Sequence, residues 1–440
     1  MRKLIILLTF LPSFLMAQHS IEGVFSPVED FTYAFLYKSS PTGAEYVDRA
    51  KVDEKGHFKI KLDTTETAGI YKIVYGVPQE INNFDLIYSG KEDVVLHFSL
   101  TEGLEFKESN ENKLWASYTN SIEMINRAIS NFYTHKSDDK AAFMDIFKTL
   151  KETQDAFELA SKGTMASVFI KANRPYIPEA YEDISTYSKN LKDTYLANVD
   201  FSNPLLQSSE FLTDRVRAYI FGMSPEATED FYKHQIDNLV NYIGEDNSEI
   251  KTALLQAIWS NMLQIEEDNV ANYIADTYLL KLATEANDTM LVKVLTIHKN
   301  NSVGATAIDF PIRTDVNGMM VETTLHKLAM ADNYLLIFWN SGCSHCLEQL
   351  PEIRKTVDQI DPKTLQVIAY GTQGEDVTWE SEILKYPKFI HIIDSGTPRR
   401  YVSHEYGVES TPTYFILDKD KKIIAKPDSL EELQTLLNDL

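Results

Sequence analysis

The chain has little cysteine: two residues in 440, Cys343 and Cys346, both inside one four-residue window. That scarcity argues against a scaffold stapled by several disulfides and against a zinc site built from four cysteines. Glycine (17) and proline (15) are also sparse, which argues against a collagen-like or low-complexity chain. Basic residues are outnumbered, with Lys+Arg 42 against Asp+Glu 65 and a formal charge of −23, so a surface that tracks nucleic-acid phosphates is not expected. No segment after Met16 approaches membrane-spanning length. What remains is ordinary globular material, 44% hydrophobic and 11% aromatic. Such a length suits about two to four domains with their own cores.

Met1-Arg2-Lys3 precedes a near-continuous apolar run from Leu4 to Met16, closed by Ala17. A basic start, a short apolar core and a small final residue read as a secretory signal peptide over 1–17, cut after Ala17. The run is short for an uncleaved anchor, which needs about 20 apolar residues. No cysteine follows the cut, so no lipid anchor is expected. Losing Arg2 and Lys3 takes the charge from −23 to −25. The mature chain is expected to be periplasmic or otherwise extracytoplasmic, and not membrane-spanning.

Residues 18–105 show the period-two pattern of half-buried strands. His57-Phe58-Lys59-Ile60-Lys61-Leu62 alternates strictly, Phe31, Tyr33, Phe35 and Tyr37 do the same, and similar runs occur at 69–76, 83–90 and 93–100. Asp53-Glu54-Lys55-Gly56 supplies a turn. An antiparallel β-sandwich or barrel is expected there. Residues 106–300 switch to the helical period. Leu114, Tyr118, Ile122, Ile125, Ile129 and Phe132 line one face, and Phe143, Ile146, Phe147, Leu150 and Phe157 line another. Leu254, Ile258 and Met262 mark a later helix, and Ser224-Pro225-Glu226 reads as a helix start. The aromatic stripes are read as packing, and Ser137-Asp138-Asp139 as a solvated turn.

Residues 301–440 alternate strands and helices, the pattern of an α/β domain. Tyr334-Leu335-Leu336-Ile337-Phe338-Trp339 is apolar throughout, as a strand buried on both faces should be. Further strands are expected at 365–370, 389–394, 413–418 and 421–426. A last helix opens with the capping box Ser429-Leu430-Glu431-Glu432 and turns Leu433, Leu436, Leu437 and Leu440 inward.

Cys343-Ser344-His345-Cys346 follows the apolar strand and opens the next helix. A helix N-terminus presents unpaired N–H groups and about half a positive charge, which stabilise a thiolate. The thiolate is the nucleophile of disulfide exchange. Cys343 is therefore expected to attack a substrate disulfide. Cys346, three residues on and on the same face, is expected to resolve the mixed disulfide. A CxxC is also half a metal site, but no further cysteine exists and the other nine histidines are scattered, so no metal is assigned.

Ser410-Thr411-Pro412, followed by a strand that begins with Tyr414, adds a second signal. With the CxxC it makes residues 303–440 resemble the thioredoxin fold, specifically the TlpA/ResA-like group of extracytoplasmic thiol–disulfide oxidoreductases. Ala307-Ile308-Asp309-Phe310 is similar to the group's Ala-Pro-Asp-Phe opening strand, with Ile308 in place of proline. Gly318 fits its hairpin, Phe338-Trp339 stands before the CxxC, and Pro351 matches its helix-kinking proline. The resemblance implies that Thr411-Pro412 is a cis-proline loop facing the CxxC, with the Thr411 backbone offered to a bound substrate chain. It implies protein substrates bearing thiols or disulfides, a membrane-bound thiol reductant, an orienting role for Trp339 and no organic cofactor. Three positions depart from the pattern: Gly342 replaces a tryptophan, Ile337 a buried acid, and Gln349 a glutamate. Glu348 and His345 are left as candidates to take the proton of Cys346.

His345 occupies the position that is also histidine in protein disulfide isomerases and DsbA, where it favours the thiolate and a more oxidising couple. The group's placement implies a reductase instead, so the direction of electron flow stays open. The upstream order of leader, β-domain and helical region resembles a set of exported Bacteroidetes proteins. Two other readings remain. One is a partner-binding protein whose CxxC is a redox switch. The other is a peroxiredoxin-like thiol peroxidase, which wants Thr or Ser three residues before its cysteine, where Asn340 stands.

Overall fold

The computed structural model describes residues 19–41, 43–223, 227–316, 319–372, 377–393 and 402–440. The leader read over 1–17, the helix start at 224–226 and the hairpin Gly318 lie outside the described residues. Two compact units result, Met1–Ile258 and Trp259–Leu440.

The first unit begins with eight strands: β1 Ser20–Ser26, β2 Tyr33–Ser40, β3 Gly43–Lys51, β4 His57–Lys61, β5 Gly69–Val74, β6 Asn83–Tyr88, β7 Val94–Ser99 and β8 Gly103–Glu108. They form two four-stranded sheets, in the orders β4-β1-β7-β8 and β3-β2-β5-β6. Pairing is antiparallel except between β1 and β7, which run parallel. Ile21, Phe25, Leu36, Phe58, Ile60, Tyr71 and Leu96 fill one shared core. The turn read at 53–56 needs its glycine: Gly56 has φ +83°, and a Cβ there would sit 2.3 Å from the Phe25 carbonyl oxygen. Strand β3 has no alternating signature because nearly all its side chains are exposed, and its Glu45, Asp48 and Arg49 mark a charged sheet edge.

Helices follow: α1 Asn110–Thr134, α2 Lys140–Ala160, α3 Ala166–Ala172, α4 Ile184–Thr194, α5 Pro204–Gln207, α6 Glu210–Arg217, α7 Glu229–Ile243 and α8 Ser248–Gln264, inside which the boundary between the units falls. The α1 stripe buries Tyr118, Ile122, Ile129 and Phe132 against Phe143, Phe147 and Leu150 of α2. Asp139 does more than sit in a solvated turn: its carboxylate accepts the Ala141 and Ala142 N–H groups and caps α2. Asn112 joins α1 to the sheet. Its side chain accepts the Ile87 N–H at 2.8 Å and donates to the Ile87 carbonyl at 2.7 Å, completing the open edge of β6 as a neighbouring strand would.

The second unit carries α9 Asp268–Ile274, α10 Leu280–Glu285 and α11 Thr289–Asn300 ahead of an α/β domain. That domain has a hairpin, β9 Pro311–Val316 with β10 Met319–Thr324, then β11 Asn333–Trp339, α12 Ser344–Val357, β12 Leu365–Gly371, α13 Val377–Ile383, β13 Ile390–Ile393, α14 Val402–Glu405, β14 Thr413–Asp418, β15 Ile423–Ala425 and α15 Leu430–Asn438. The main sheet has the order β13-β12-β11-β14-β15, parallel across β13, β12 and β11 and antiparallel beyond. Central β11 is buried on both sides. Tyr334, Leu336 and Phe338 enter one core, while Leu335, Ile337 and Trp339 enter the other beneath α12 and α15. That double burial explains the unbroken apolar run.

Two details differ from the sequence reading. Residues 307–310 form no strand: Ala307 N–H goes to the Lys421 carbonyl and the Phe310 carbonyl accepts from Leu325, so the ladder starts only at Pro311. Leu440 lies past the end of α15 and is exposed, whereas Leu433 and Leu437 are buried and Leu436 packs beside them.

Candidate active site

The thiol pair is built by the turn from β11 into α12. Asn340 shapes this turn: its side-chain oxygen accepts the Gly342 N–H at 2.7 Å and its carbonyl accepts the Cys343 N–H at 3.1 Å. Cys343 becomes the N-cap of α12. Its carbonyl accepts the Leu347 N–H at 3.1 Å, and its sulfur takes the place of a capping oxygen, receiving the Cys346 N–H at 3.4 Å. The Cys343 thiol donates to the Thr411 carbonyl at 3.2 Å. Thr411-Pro412 is a cis peptide, so this loop and the CxxC meet at the sulfur although 68 residues separate them.

The two cysteines occupy different environments. Cys343 is part-exposed; Cys346 is fully buried, packed with Trp339, Leu350 and Tyr414. Both are free thiols. At Cys343, burial pushes the pKa up, but hydrogen bonds from the Cys346 thiol, the Cys346 amide, the Thr411 side chain and the His345 amide together hold it below the ordinary thiol value. At Cys346 burial dominates, and the pKa is pushed up to about 11. One thiol is thus poised to ionise and the other to stay protonated.

The remaining candidates divide into two groups. Trp339 is fully buried in the Cys346 core, and its carbonyl accepts the Thr372 N–H at 2.9 Å; its indole N–H has no partner among the described residues. His345 and Glu348 both have side chains about three-quarters exposed, 4.0 Å from each other, and neither hydrogen-bonds a sulfur through its side chain among the described residues. The polar pair that does adjoin the buried thiol is Tyr414 and Gln349: the Tyr414 hydroxyl donates to the Gln349 side-chain oxygen at 2.5 Å. Burial, together with the negative charge Cys346 and Cys343 would carry as thiolates, keeps Tyr414 protonated well above its ordinary range. The sequence does not single out Tyr414, since nothing in it links this residue to one 65 positions away.

A part-exposed nucleophilic thiol, a buried protonated thiol one helical turn on, and a backbone acceptor beside the first form a set that can carry out thiol–disulfide exchange.

The Redoxin family model matches residues 302–431. The thiol-disulfide oxidoreductase ResA of Bacillus thuringiensis subsp. konkukian (strain 97-27) is 27% identical over 147 residues, covering 33% of this chain and 81% of that protein. The ResA of Bacillus anthracis is 28% identical over 123 residues, 28% of this chain and 67% of its own length. Among solved structures, a thioredoxin-like protein from Bacteroides caccae ATCC 43185 aligns with 60% of this chain and 97% of its own at 20% identity and a TM-score of 0.33. A thiol-disulfide oxidoreductase from Bacteroides fragilis NCTC 9343 aligns with 30% of this chain and 98% of its own at 19% identity and a TM-score of 0.26.

Proposed function

We propose, from the match of residues 302–431 to the Redoxin family model and the likeness to ResA, that this chain is a thiol–disulfide oxidoreductase acting on protein substrates outside the cytoplasm, in the reducing direction. The observation that carries the reading is the double contact at one sulfur: Cys343 Sγ accepts from the Cys346 amide and donates to the Thr411 carbonyl.

In the proposed cycle, Cys343 loses its proton and the thiolate attacks one sulfur of a substrate disulfide. The S–S bond of the substrate breaks, its other sulfur leaves as a thiolate, and a mixed disulfide links Cys343 to the substrate. Deprotonation frees Cys346 to attack the Cys343 sulfur, which expels the second substrate thiolate and closes the Cys343–Cys346 disulfide. Two electrons have passed to the substrate. A thiol donor, proposed to be membrane-bound, then restores both cysteines. In this scheme Thr411 and Pro412 hold the substrate backbone beside Cys343, Trp339 packs under the pair, His345 favours the thiolate, and Glu348 or His345 relays the proton of Cys346. The largely exposed setting of those last two makes relay through water the economical route.

Export rests on the basic start and short apolar core of residues 1–17, and the proposed organisation is leader 1–17, β-domain 18–105, helical region 106–300 and thioredoxin-like domain 301–440. Among the described residues no helix is long and apolar enough to cross a membrane. The test is a trapping experiment. Cys346→Ser incubated with a disulfide-bearing protein should accumulate a mixed disulfide at Cys343, while Cys343→Ser should accumulate none. Equal trapping by both variants, or by neither, would overturn the assignment.

A further inference from the structure

Two of the cavities in the first unit, of about 620 and 480 Å³, share Asn173, Tyr195 and Arg215 in their walls. Arg215, on α6, is only 7% exposed. A guanidinium keeps its proton at any ordinary pH, so a positive charge stands here largely out of water. Burial weakens its hold on that proton. Its Nη1 donates to the Asn173 side-chain oxygen at 2.5 Å, its Nη2 to the Tyr195 carbonyl at 2.8 Å, and its Cζ lies 4.1 Å from the centre of the Tyr195 ring. These are neutral partners. No carboxylate pairs with Arg215 among the described residues, and its Nε has no acceptor there. Each Nη keeps a second N–H, since a guanidinium carries five donors.

The two cavities differ in charge. Asp85, Glu210 and Asp214 stand in the wall of the larger one. The smaller has no Asp or Glu in its wall, although acidic residues outnumber basic ones 65 to 42 along the chain. Its other cation, Arg174, is already held by Glu158 through two hydrogen bonds. Tyr133, Tyr176, Tyr187, Ile122 and Ile129 supply flat aromatic and aliphatic walls. A buried charge with no counter-ion is unfavourable, and an anion placed against it removes that cost. The volume lies within the range of about 300–1,000 Å³ common to small-molecule sites.

We propose that the smaller cavity is a binding site for a small organic acid, whose carboxylate meets the unused Nη–H groups of Arg215 and whose flat apolar body lies among the tyrosines. The site is independent of the thiol pair and of the activity proposed for it.

The full chain is titrated by calorimetry with 3-phenylpropionate, with the isosteric neutral 3-phenylpropionamide, and with inorganic phosphate. The acid is expected to bind one to one and to raise the thermal midpoint. The amide should bind at least tenfold more weakly and phosphate not saturably. Arg215→Gln should weaken the acid at least tenfold while leaving the reduction potential of the Cys343/Cys346 pair unchanged. Because Arg215 also holds Asn173 and Tyr195 in place, Ser188→Trp gives a second route: Ser188 is an exposed residue of the cavity wall, and an indole there should block the acid without touching the arginine. Equal binding of acid and amide, phosphate binding in place of the acid, acid binding that survives Ser188→Trp, or no saturable binding of the acid at about millimolar concentration would each overturn the proposal.

Discussion

Cys346 serves Cys343 in two ways, through its backbone N–H and through its thiol, and substitution separates them. Cys346→Ala keeps the amide that donates to the Cys343 sulfur at 3.4 Å and deletes only the thiol. The Cys343 pKa is raised by burial and brought below the ordinary thiol value by hydrogen bonds, with the Cys346 thiol the foremost of them. A hydrogen bond to an ionised group contributes about 1.5–3 kcal/mol. For a part-exposed sulfur the lower end applies, and about 1.4 kcal/mol corresponds to one pH unit. Cys346→Ala should therefore raise the Cys343 pKa by about one pH unit. At pH values below both midpoints the rate of alkylation follows the thiolate fraction, so there the rate with iodoacetamide should fall about tenfold. Cys346→Ser retains an O–H donor and should recover most of the loss. The assay is the alkylation rate of Cys343 across pH, followed by mass spectrometry. An unchanged or lowered midpoint in Cys346→Ala would refute this, because it would make the amides of Cys346 and His345 and the Thr411 side chain, not the Cys346 thiol, the groups that hold the pKa down.

Other outcomes follow from the same geometry. In the reduced native protein, brief alkylation at neutral pH should label Cys343 and spare Cys346, whose pKa of about 11 leaves almost no thiolate; peptide mapping shows which is modified. The reduction potential should fall by about 60 mV per pH unit below the Cys343 pKa and by about 30 mV per unit from there to about pH 11, as the reduced form keeps two protons and then one. His345→Ser should make the couple more reducing by no more than about 30 mV, since a side chain so exposed stabilises the thiolate only weakly. Asn112→Ala strands the buried Ile87 N–H and carbonyl and should cost about 2–4 kcal/mol on denaturant unfolding, with the potential of the thiol pair unchanged.

What the sequence reveals depends on how locally each feature is encoded. The run from Tyr334 to Trp339 announces β11 because a strand buried on both faces has no polar side to interrupt it. The placement of Cys343 at the start of α12 is legible for a similar reason: the strand ends, the CxxC follows, and the next apolar residues take helical spacing. Strand β3 is silent, since an exposed edge carries charge on both faces. Asp139 looks like any acidic turn until its two amide contacts are seen. The Tyr414–Gln349 bond and the Asn112 clasp on Ile87 join residues distant along the chain, and no periodicity records such a meeting. Arg215 is the plainest case: an arginine on a short polar helix reads as solvated, and only the folded unit buries it.

In the proposed function Cys343 and Cys346 form a reversible two-electron couple, and the fraction of intramolecular disulfide measured across dithiothreitol and glutathione redox buffers tests it. A single two-electron transition is expected, with a potential near that of thioredoxin, about −270 mV. A potential at or above about −180 mV would contradict the reducing direction. Failure to form the Cys343–Cys346 disulfide reversibly at all would contradict the catalytic account itself.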